Sequence, residues 1–306
     1  MKVKTILKKL KLKIMANSHY YKKMDDAYYL KKMYKIILNK ELDLKNPQTF
    51  NEKLQWLKLY DRKDIYTTMV DKYAVKKYVA DIIGEEYIIP TLGIYNSFDE
   101  IDFDELPNQF VIKCTHDSGG LVIVKDKSKL DIKSARKRID KSLEYNFYYF
   151  GREWPYKNVK PRIIIDKYME DESKKELKDY KIFCFGGTPK IIMVDSGRFF
   201  KHKRNVYDTS WNKLNVNINF PTDDNMQIKK PRKLNELIEL SEKLSENIPF
   251  IRTDFYVIND KVYFGELTFF PGSGFQRIEP DYWQKKLGDL INLTIDKNIK
   301  DNNYEK

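Results

Sequence analysis

Two strand-like stretches near the carboxyl end constrain the fold more than any other feature of this chain. Residues 250–256 read F-I-R-T-D-F-Y, residues 262–272 read V-Y-F-G-E-L-T-F-F-P-G, and a polar N-D-K turn lies between them. Because side chains alternate along a strand, Arg252 and Asp254 point the same way, and the returning strand brings Glu266 back beside them. The pattern predicts an antiparallel hairpin with two carboxylates and a guanidinium on one face.

Carboxylate oxygens on two neighbouring strands are suited to a metal ion. Proteins usually hold Mg²⁺ with one or two carboxylates plus substrate phosphates. Asp254 and Glu266 are therefore candidate metal ligands. The alternative interpretation is a solvated hairpin face with an internal ion pair. The other motifs of the chain decide between the two.

The composition limits the kinds of fold and of binding partner that this chain can have. The chain has 306 residues, 42% hydrophobic and 14% aromatic, enough for a substantial core and more than one minimal domain. The net charge of +12 favours nucleotide phosphates, an anionic polymer, a membrane surface or nucleic acid. Specific nucleic-acid binding is not expected, because no recognition helix or aromatic RNA-binding strand is evident. Cys114 and Cys184 lie in apolar runs without metal-ligand spacing, which predicts buried, reduced thiols.

The first 15 residues form a basic amphipathic pattern, in which five apolar residues at helical spacing alternate with six lysines. No apolar run reaches the roughly 18 residues that would span a membrane. Two interpretations stay open: a helix that rests on the anionic inner leaflet, or a helix docked on the body with a solvated lysine face. We expect a cytoplasmic protein, with peripheral contact of residues 1–15 at the inner face of the membrane as the functional interpretation.

Residues 1–85 are predicted to be mostly helical. Apolar positions three and four residues apart predict helices over 27–38, 52–60 and 71–83. Thr49 and Glu52 are expected to form a capping box at the second of these. From about residue 86 the pattern changes to short strands: 109–115, 121–125, 162–166, 180–185 and 189–195. Further helices are predicted over 130–145, 231–245 and 282–295.

The polar segment 196–224 is predicted to be a loop. It is too long for a simple connection, which favours a functional role. Its basic side chains Lys201, Lys203 and Arg204 are candidates to close over an acidic acceptor. A mobile, solvated loop is the alternative.

A lysine and a loop of small residues suggest a phosphate site. The apolar strand F-V-I-K ends in Lys113, and T-H-D-S-G-G follows before the next strand. Such a loop exposes backbone N–H groups to a phosphate, and the lysine adds a charge. The candidate residues are Lys113, His116, Ser118, Gly119 and Gly120. The motif is no Walker A sequence, a simple hairpin would look the same, and the histidine is as well explained by a structural hydrogen bond.

A third motif is typical of an adenine-binding hinge. An apolar I-I-I strand runs into Asp166, Lys167, Tyr168 and Met169. The polar pair and the backbone could bind the base edge, while the two large side chains supply apolar contact. A strand that ends in a surface ion pair is the alternative. Lys181 opens the next strand, from which it could reach phosphates from the opposite lobe.

This order of motifs resembles the ATP-grasp superfamily. Its ligases commonly carry R-x-D and then, about a dozen residues later, E-x-N-x-x-P-G. Asp254 and Glu266 are twelve residues apart here, Pro271 and Gly272 stand at the expected offset, and Thr268 replaces the usual asparagine. The resemblance implies an α+β ATP-grasp fold, in which two α+β lobes clasp ATP after a mostly helical N-terminal region.

Within the superfamily the chain is similar to the TupA-like branch. The similar blocks are N-E-K-L-Q-W-L-K-L-Y-D, D-K-Y-A-V-K-K-Y-V, F-V-I-K-C-T-H-D-S-G-G, D-Y-K-I-F-C-F-G-G and G-E-L-T-F-F-P-G-S-G. That branch is associated with teichuronopeptide, capsule and exopolysaccharide synthesis in bacteria, and its members are often labelled glycosyltransferases. The resemblance implies a helical lead-in over 1–85, an N-lobe over 86–170 and a C-lobe over 171–300.

The resemblance also implies a reaction, an ATP- and Mg²⁺-dependent carboxylate–amine ligation through an acylphosphate. An acidic sugar or polymer would be the acceptor and an amine the second substrate. The implied metal ligands are Asp254, Glu266 and Thr268. Lys113 and Lys181 would hold phosphates, and Arg252 would stabilise the transferred phosphoryl group or the tetrahedral intermediate. A kinase of a sugar or polymer hydroxyl and a glycosyltransferase of the same pathway stay open as alternatives.

Overall fold

Helices fill the first quarter of the chain, and two antiparallel sheets follow. A computed structural model describes residues 2–117, 119–172, 177–197, 202–223 and 228–293. The helices of these residues are α1 (Lys2–Asn17), α2 (His19–Lys22), α3 (Asp26–Leu38), α4 (Phe50–Tyr60), α5 (Ile65–Val70), α6 (Ala74–Ile83), α7 (Ile132–Leu143), α8 (Tyr148–Gly151), α9 (Leu234–Ser245) and α10 (Tyr282–Asp289). None of the described helices is long and apolar enough to cross a bilayer.

The strands pair as two main sheets and one small ladder. They are β1 (Thr91–Tyr95), β2 (Phe110–Cys114), β3 (Leu121–Val124), β4 (Ile163–Lys167), β5 (Asp179–Phe185), β6 (Thr188–Ser196), β7 (Lys203–Asp208), β8 (Asn217–Ile218), β9 (Phe250–Ile258), β10 (Lys261–Thr268) and β11 (Ile278–Glu279). The first sheet has the order β1-β4-β2-β3, the second β10-β9-β5-β6-β7, and β8 pairs with β11. The predicted α+β class is confirmed.

Local sequence explains where the helices of the lead-in begin. The capping box is confirmed, since the Thr49 hydroxyl accepts from the Glu52 backbone N–H and the Glu52 carboxylate accepts from the Thr49 N–H at 2.9 Å. The helix predicted over 71–83 begins later, at Ala74. The Asp71 carboxylate accepts from the backbone N–H groups of Tyr73 and Ala74, which places a capping turn at this point and separates α5 from α6.

The first sheet packs one face on α7. Phe110, Ile112 and Cys114 alternate along β2 and lie buried in a core with Ala135 and Ile139 of the helix. The residues between them on β2 therefore face the other way, toward the second sheet. Both cysteines of the chain are free and buried, as predicted.

The second sheet shares its core with the N-terminal helices. Phe50 at the start of α4 stacks on Phe183 at 5.8 Å between ring centroids and meets Phe250 edge-on at 5.0 Å. On the opposite face Ser241 of α9 lies 2.8 Å from the Thr253 hydroxyl. The lead-in is thus packed on one half of the second sheet. The predicted limits of the lobes stay a prediction.

The prediction of a loop over residues 196–224 is wrong in part. Residues Lys203–Asp208 form β7, an edge strand on β6, and Asn217–Ile218 form β8. Arg204 is buried, and its Nε and Nη2 donate to the two Asp195 carboxylate oxygens at 2.6 and 2.8 Å. That guanidinium is therefore committed to the sheet rather than to an acceptor. Lys201 lies outside the described residues. The sequence K-R-N-V-Y-D is short and mostly polar, so it was not recognised as strand β7. The buried part of this strand includes the Arg204–Asp195 ion pair.

Candidate active site

A bulge in the β9–β10 hairpin assembles the charged face. Phe264 pairs with Phe255, yet the next pair is Glu266 with Asp254, so Gly265 is an extra residue of β10. Strict alternation would have set Glu266 opposite Thr253, on the face that packs against α9. The bulge moves Glu266 to the face of Asp254, where the sequence predicted it.

Arg252 joins the two carboxylates of this face. Its Nε and Nη2 donate to the Asp254 carboxylate at 2.6 and 2.7 Å, and Nη2 also donates to Glu266 Oε1 at 2.5 Å. The Thr268 hydroxyl lies 3.2 Å from the same Glu266 oxygen. Burial alone would lower the pKa of Arg252, but Asp254 and Glu266 raise it above its usual value. The four predicted residues of the hairpin therefore form one network.

Lys181 extends the network onto the neighbouring strand. It lies opposite Asp254 in the β5–β9 pair, and its Nζ donates to Asp254 Oδ2 at 2.6 Å and to Asp179 Oδ2 at 2.5 Å. Partial burial would raise the pKa of the Glu266 carboxyl, but Arg252 and Lys181 hold it below its ordinary value. Both predicted metal-binding carboxyls thus lie among cations.

Lys72 is a member of this site that the sequence reasoning missed. It precedes α6, and its Nζ donates to the carbonyl oxygens of Cys114, at 3.1 Å, and Asp117. Burial lowers the pKa of Lys72, and attraction to Glu266 opposes that shift. Lys72 also interacts electrostatically with Lys113, so it lies between the charged faces of the two sheets. The available signal was the D-K-Y-A-V-K block, with lysines at 72 and 76.

The glycine loop is held closed by its own aspartate. Asp117 accepts from the Gly120 N–H at 3.1 Å and from the Ser142 hydroxyl. A side chain at Gly120 would lie 2.5 Å from the Cys114 sulfur, which explains the glycine there. Gly119 is exposed at the tip of the loop, and Ser118 lies outside the described residues.

His116 points toward the first-sheet core rather than out of the loop. The ring is buried, and Nε2 lies 3.0 Å from the Ser142 carbonyl and 3.1 Å from the Tyr145 carbonyl. These contacts hold the loop on the end of α7. A contact between His116 and phosphate stays a prediction.

Asp166 lies between two lysines. Lys113 Nζ donates to one of its oxygens at 2.9 Å and Lys76 Nζ to the other at 2.5 Å. Burial lowers the pKa of Lys76, and Asp166 opposes that shift.

Of the other hinge residues, Lys167 is exposed, while Tyr168 and Met169 are half-buried. A cavity of about 880 Å³, partly lined by Lys76, Thr91 and Arg162, opens on the α6 side of this cluster.

The same face of the first sheet is apolar around Lys113. Val111 pairs with Ile123, and Lys113 pairs with Leu121, so the four side chains share the face that α7 does not cover. Ile123 and Leu121 are 44% and 37% exposed. An apolar platform next to a lysine is suited to a planar base followed by a phosphate. The sequence signal was only an ordinary strand, L-V-I-V.

The described residues fit a magnesium ion at the hairpin. They contain no group of three or more His, Cys, Asp or Glu side chains that could bind a metal alone. The carboxylates of Asp254, which is buried, and of Glu266, which is exposed, nevertheless lie on one face of the hairpin with the Thr268 hydroxyl. Two carboxylates completed by substrate phosphates are the donor set that Mg²⁺ prefers.

Two antiparallel sheets, each with a lysine-bearing charged face, define this chain as a protein of the ATP-grasp fold. The model of the family described as TupA-like ATPgrasp matches residues 52–292. The chain belongs to the TupA-like ATP-grasp family. No curated protein matches it.

Solved structures of similar fold have low sequence identity to the chain. The D-alanine–D-alanine ligase from Bacillus anthracis, complexed with ATP, is 18% identical, with 73% of this chain and 63% of that chain covered and a TM-score of 0.41. The Helicobacter pylori D-alanine–D-alanine ligase is 15% identical, with 80% and 68% covered and a TM-score of 0.42. An N5-carboxyaminoimidazole synthase from Aspergillus clavatus is 10% identical, with 66% and 44% covered and a TM-score of 0.37. The chain spans less than two thirds of the Bacillus anthracis enzyme.

Proposed function

We propose that the protein is an ATP- and Mg²⁺-dependent carboxylate–amine ligase of bacterial cell-surface polysaccharide synthesis. The observation that carries the proposal is the network of Lys181, Asp254, Arg252 and Glu266 on one face of the second sheet, with Lys72 next to it. Cations and carboxylates alternate there. The cations are suited to the phosphates of ATP, and the carboxylates to its metal ion. The polysaccharide context rests on the resemblance of the sequence blocks alone.

ATP would lie between the two sheets. The base would contact the apolar platform of Val111, Leu121 and Ile123 and the hinge segment 167–169. Lys113 would then meet the phosphates from the first sheet, together with the backbone of the glycine loop. Asp166 is already bound by two lysines, so in this proposal it orients Lys113 and Lys76 rather than the base.

The terminal phosphates would lie against the hairpin. Asp254 and Glu266, with the Thr268 hydroxyl, would hold Mg²⁺, which neutralises charge that develops on the β- and γ-phosphates. Lys181 and Lys72 would bind the same phosphates from the two sides. Since Arg252 already binds both carboxylates, it would keep them aligned before the substrate arrives.

The reaction needs no nucleophilic side chain. A substrate carboxylate attacks the γ-phosphorus, the bond to the β-phosphate oxygen breaks, and ADP leaves with an acylphosphate formed. The amine then attacks the acyl carbon, and phosphate departs as the amide forms and the nitrogen loses its proton. Arg252 would stabilise the negative charge on the transferred phosphoryl group. We propose an acidic sugar or polymer as acceptor and a cytoplasmic reaction that draws on the ATP pool.

The test is Mg²⁺-dependent ATP turnover in the presence of candidate uronates and amines. Glu266→Gln keeps the shape of the side chain and removes its charge, so turnover should fall by about 100-fold or more. Glu279→Gln makes the same change at an exposed position of β11 and should leave turnover unchanged. Full activity in Glu266→Gln would rule out the metal assignment.

The products separate the ligase from its rivals. A ligase yields ADP, free phosphate and an amide, whereas a kinase yields ADP and a phosphorylated acceptor. A glycosyltransferase would release a nucleotide from a nucleotide sugar and would not consume ATP. Mass spectrometry of the acceptor with ³¹P spectroscopy of the mixture distinguishes all three.

A further inference from the structure

The positive charge of the protein is concentrated at its amino end. The first 40 residues contain 12 lysines, two aspartates and no arginine or glutamate, so they hold ten of the twelve net charges. The family match begins only at residue 52. The remaining 266 residues, which include the whole proposed site, are therefore almost neutral. The charge belongs to an added segment and not to the nucleotide site.

Helix α1 has one side that docks on the body and another that does not. Met15 and Ala16 are buried, and Leu12 packs against the same core. The Lys8 ammonium donates to the Ile37 carbonyl at 2.7 Å, which ties this side to α3. Helix α1 is thus fixed in orientation relative to the body.

Apolar side chains remain on the outward side of α1. Leu10 is 53% exposed and Ile14 is 52% exposed, and they lie four residues apart on one helical face. Lys11 and Lys13, next to them, are exposed as well. An apolar pair flanked by lysines on a docked helix has no partner within the described residues.

The next two helices carry exposed tyrosines. Tyr20 is 69% exposed and Tyr28 is 53% exposed, and both line an open recess of about 490 Å³ together with Lys23. The Lys32 ammonium lies 4.5 Å from the centroid of the Tyr28 ring. Tyrosine is suited to a boundary between water and lipid, because its ring is apolar and its hydroxyl is polar.

We propose that this surface, the basic face, docks the protein on an anionic lipid bilayer; it comprises Leu10, Lys11, Lys13, Ile14, Tyr20 and Tyr28. The lysines attract anionic headgroups, and the apolar and aromatic side chains enter the headgroup region. A soluble polyanion would use the lysines but would leave Leu10 and Ile14 in water. The combination of charge with exposed apolar side chains therefore favours a membrane over a dissolved polymer.

Docking through this surface would give the enzyme access to a membrane-linked acceptor, a use that rests on the proposed function. Because α1 and α3 are tied to the same core, the basic face is rigid with the catalytic body. The attachment is peripheral and reversible, since a short basic surface binds less tightly than a spanning helix. Membrane binding does not depend on whether the protein is a ligase, a kinase or a protein that only binds ATP.

Vesicle flotation with the full chain tests the proposal. Vesicles of phosphatidylcholine with about 30% phosphatidylglycerol should carry the protein upward, and vesicles of pure phosphatidylcholine should not. Raising NaCl from about 0.1 M to about 0.5 M should weaken the binding, because the charge attraction is screened. Equal flotation with both vesicle types, or none with the anionic ones, overturns the proposal.

Two variants separate lipid docking from simple charge attraction. Leu10→Ser with Ile14→Ser should weaken binding to the anionic vesicles about tenfold, and Lys11→Glu with Lys13→Glu should weaken it by at least as much. The matched control combines Ile132→Ser with Lys133→Glu, since both residues are exposed on α7 in the N-lobe. This control variant should bind the anionic vesicles as tightly as the unchanged protein does.

The apolar variant decides the partner. If Leu10→Ser with Ile14→Ser binds the vesicles unchanged and soluble polygalacturonate competes fully, the basic face is a polyanion site and the proposal is wrong. Circular dichroism should show an unchanged fold in each variant, since the altered side chains are all exposed. ATP turnover in the absence of vesicles should also be unchanged. The membrane proposal can therefore be wrong while the ligase proposal holds, and the reverse.

Discussion

Glu266 lies directly opposite Asp254 across the β9–β10 hairpin because Gly265, the residue before it, forms a bulge and takes no partner in the ladder with β9. The bulge turns Glu266 from the helix-covered face of the sheet to the charged one. A Cβ at position 265 would lie 3.0 Å from the Asp254 carbonyl oxygen, so the site also favours glycine on steric grounds. The two proposed metal ligands thus depend on a backbone irregularity rather than on strand alternation.

Insertion of one alanine between Gly265 and Glu266 should therefore abolish ATP turnover. With the one-residue bulge kept, the alanine would lie opposite Asp254 and Glu266 opposite Thr253, so the metal site would lose one carboxylate. We expect a loss of about 100-fold or more, similar to that in Glu266→Gln. Turnover is measured beside thermal unfolding, and deletion of Gly265, which removes the bulge but leaves Glu266 directly after Phe264 and opposite Asp254, should retain more activity than the insertion. A folded insertion variant with normal turnover would contradict the role of the pairing register.

Lys72→Met should weaken ATP binding without unfolding the protein. The Lys72 ammonium is held by two carbonyl oxygens and attracted by Glu266, so it supplies positive charge where the proposed phosphates lie. We expect the KM for ATP to rise about tenfold, the effect of losing one charged hydrogen bond of 1.5–3 kcal/mol. Lys77→Met on the exposed side of α6 is the control and should leave the KM unchanged. An unchanged KM in Lys72→Met would remove Lys72 from the phosphate site.

Local features of the fold and the order of the motifs along the chain could be predicted from the sequence alone. The capping box of Thr49 and Glu52 follows from four consecutive residues, so it was predictable. The glycine at 265 was a signal for a bulge within a strand, although its consequence for Glu266 requires the pairing register. Strand β7 could not be predicted from its polar run, because the buried Arg204–Asp195 pair and the packing of Val206 and Tyr207 in the core are contacts made only in the folded sheet.

Burial of Lys58 is another feature that the sequence could not reveal, since lysine on an amphipathic helix normally faces water. Its side chain is fully buried in α4, and Nζ donates to the carbonyls of Gly151 and Ser273 at 2.7 and 2.8 Å. Glu153 is also buried and attracts it. Lys58 thus fixes the P-G-S-G segment, which follows β10, to the end of α8.

Lys58→Met should lower the free energy of unfolding by about 3 kcal/mol or more, because Glu153 is left buried without its cation. Lys58→Met combined with Glu153→Gln should recover part of the loss, since no unpaired charge remains. Urea denaturation measures both, and Lys63→Met at an exposed position of the chain is the control. Additive losses in the double variant would mean that the two groups do not interact.

The same pair predicts a pH dependence with a defined sign. Burial lowers the pKa of Lys58 from 10.5 to about 7, so between these values the unfolded chain binds one more proton and stability rises with pH. Burial raises the pKa of Glu153 from 4.5 to about 6, so in that lower window the folded chain binds the extra proton and stability falls as pH rises. Lys58→Met should remove the upper slope and Glu153→Gln the lower one. Denaturation curves between about pH 4.5 and about pH 10 measure both, and slopes unaffected by either change would show that other groups cause them.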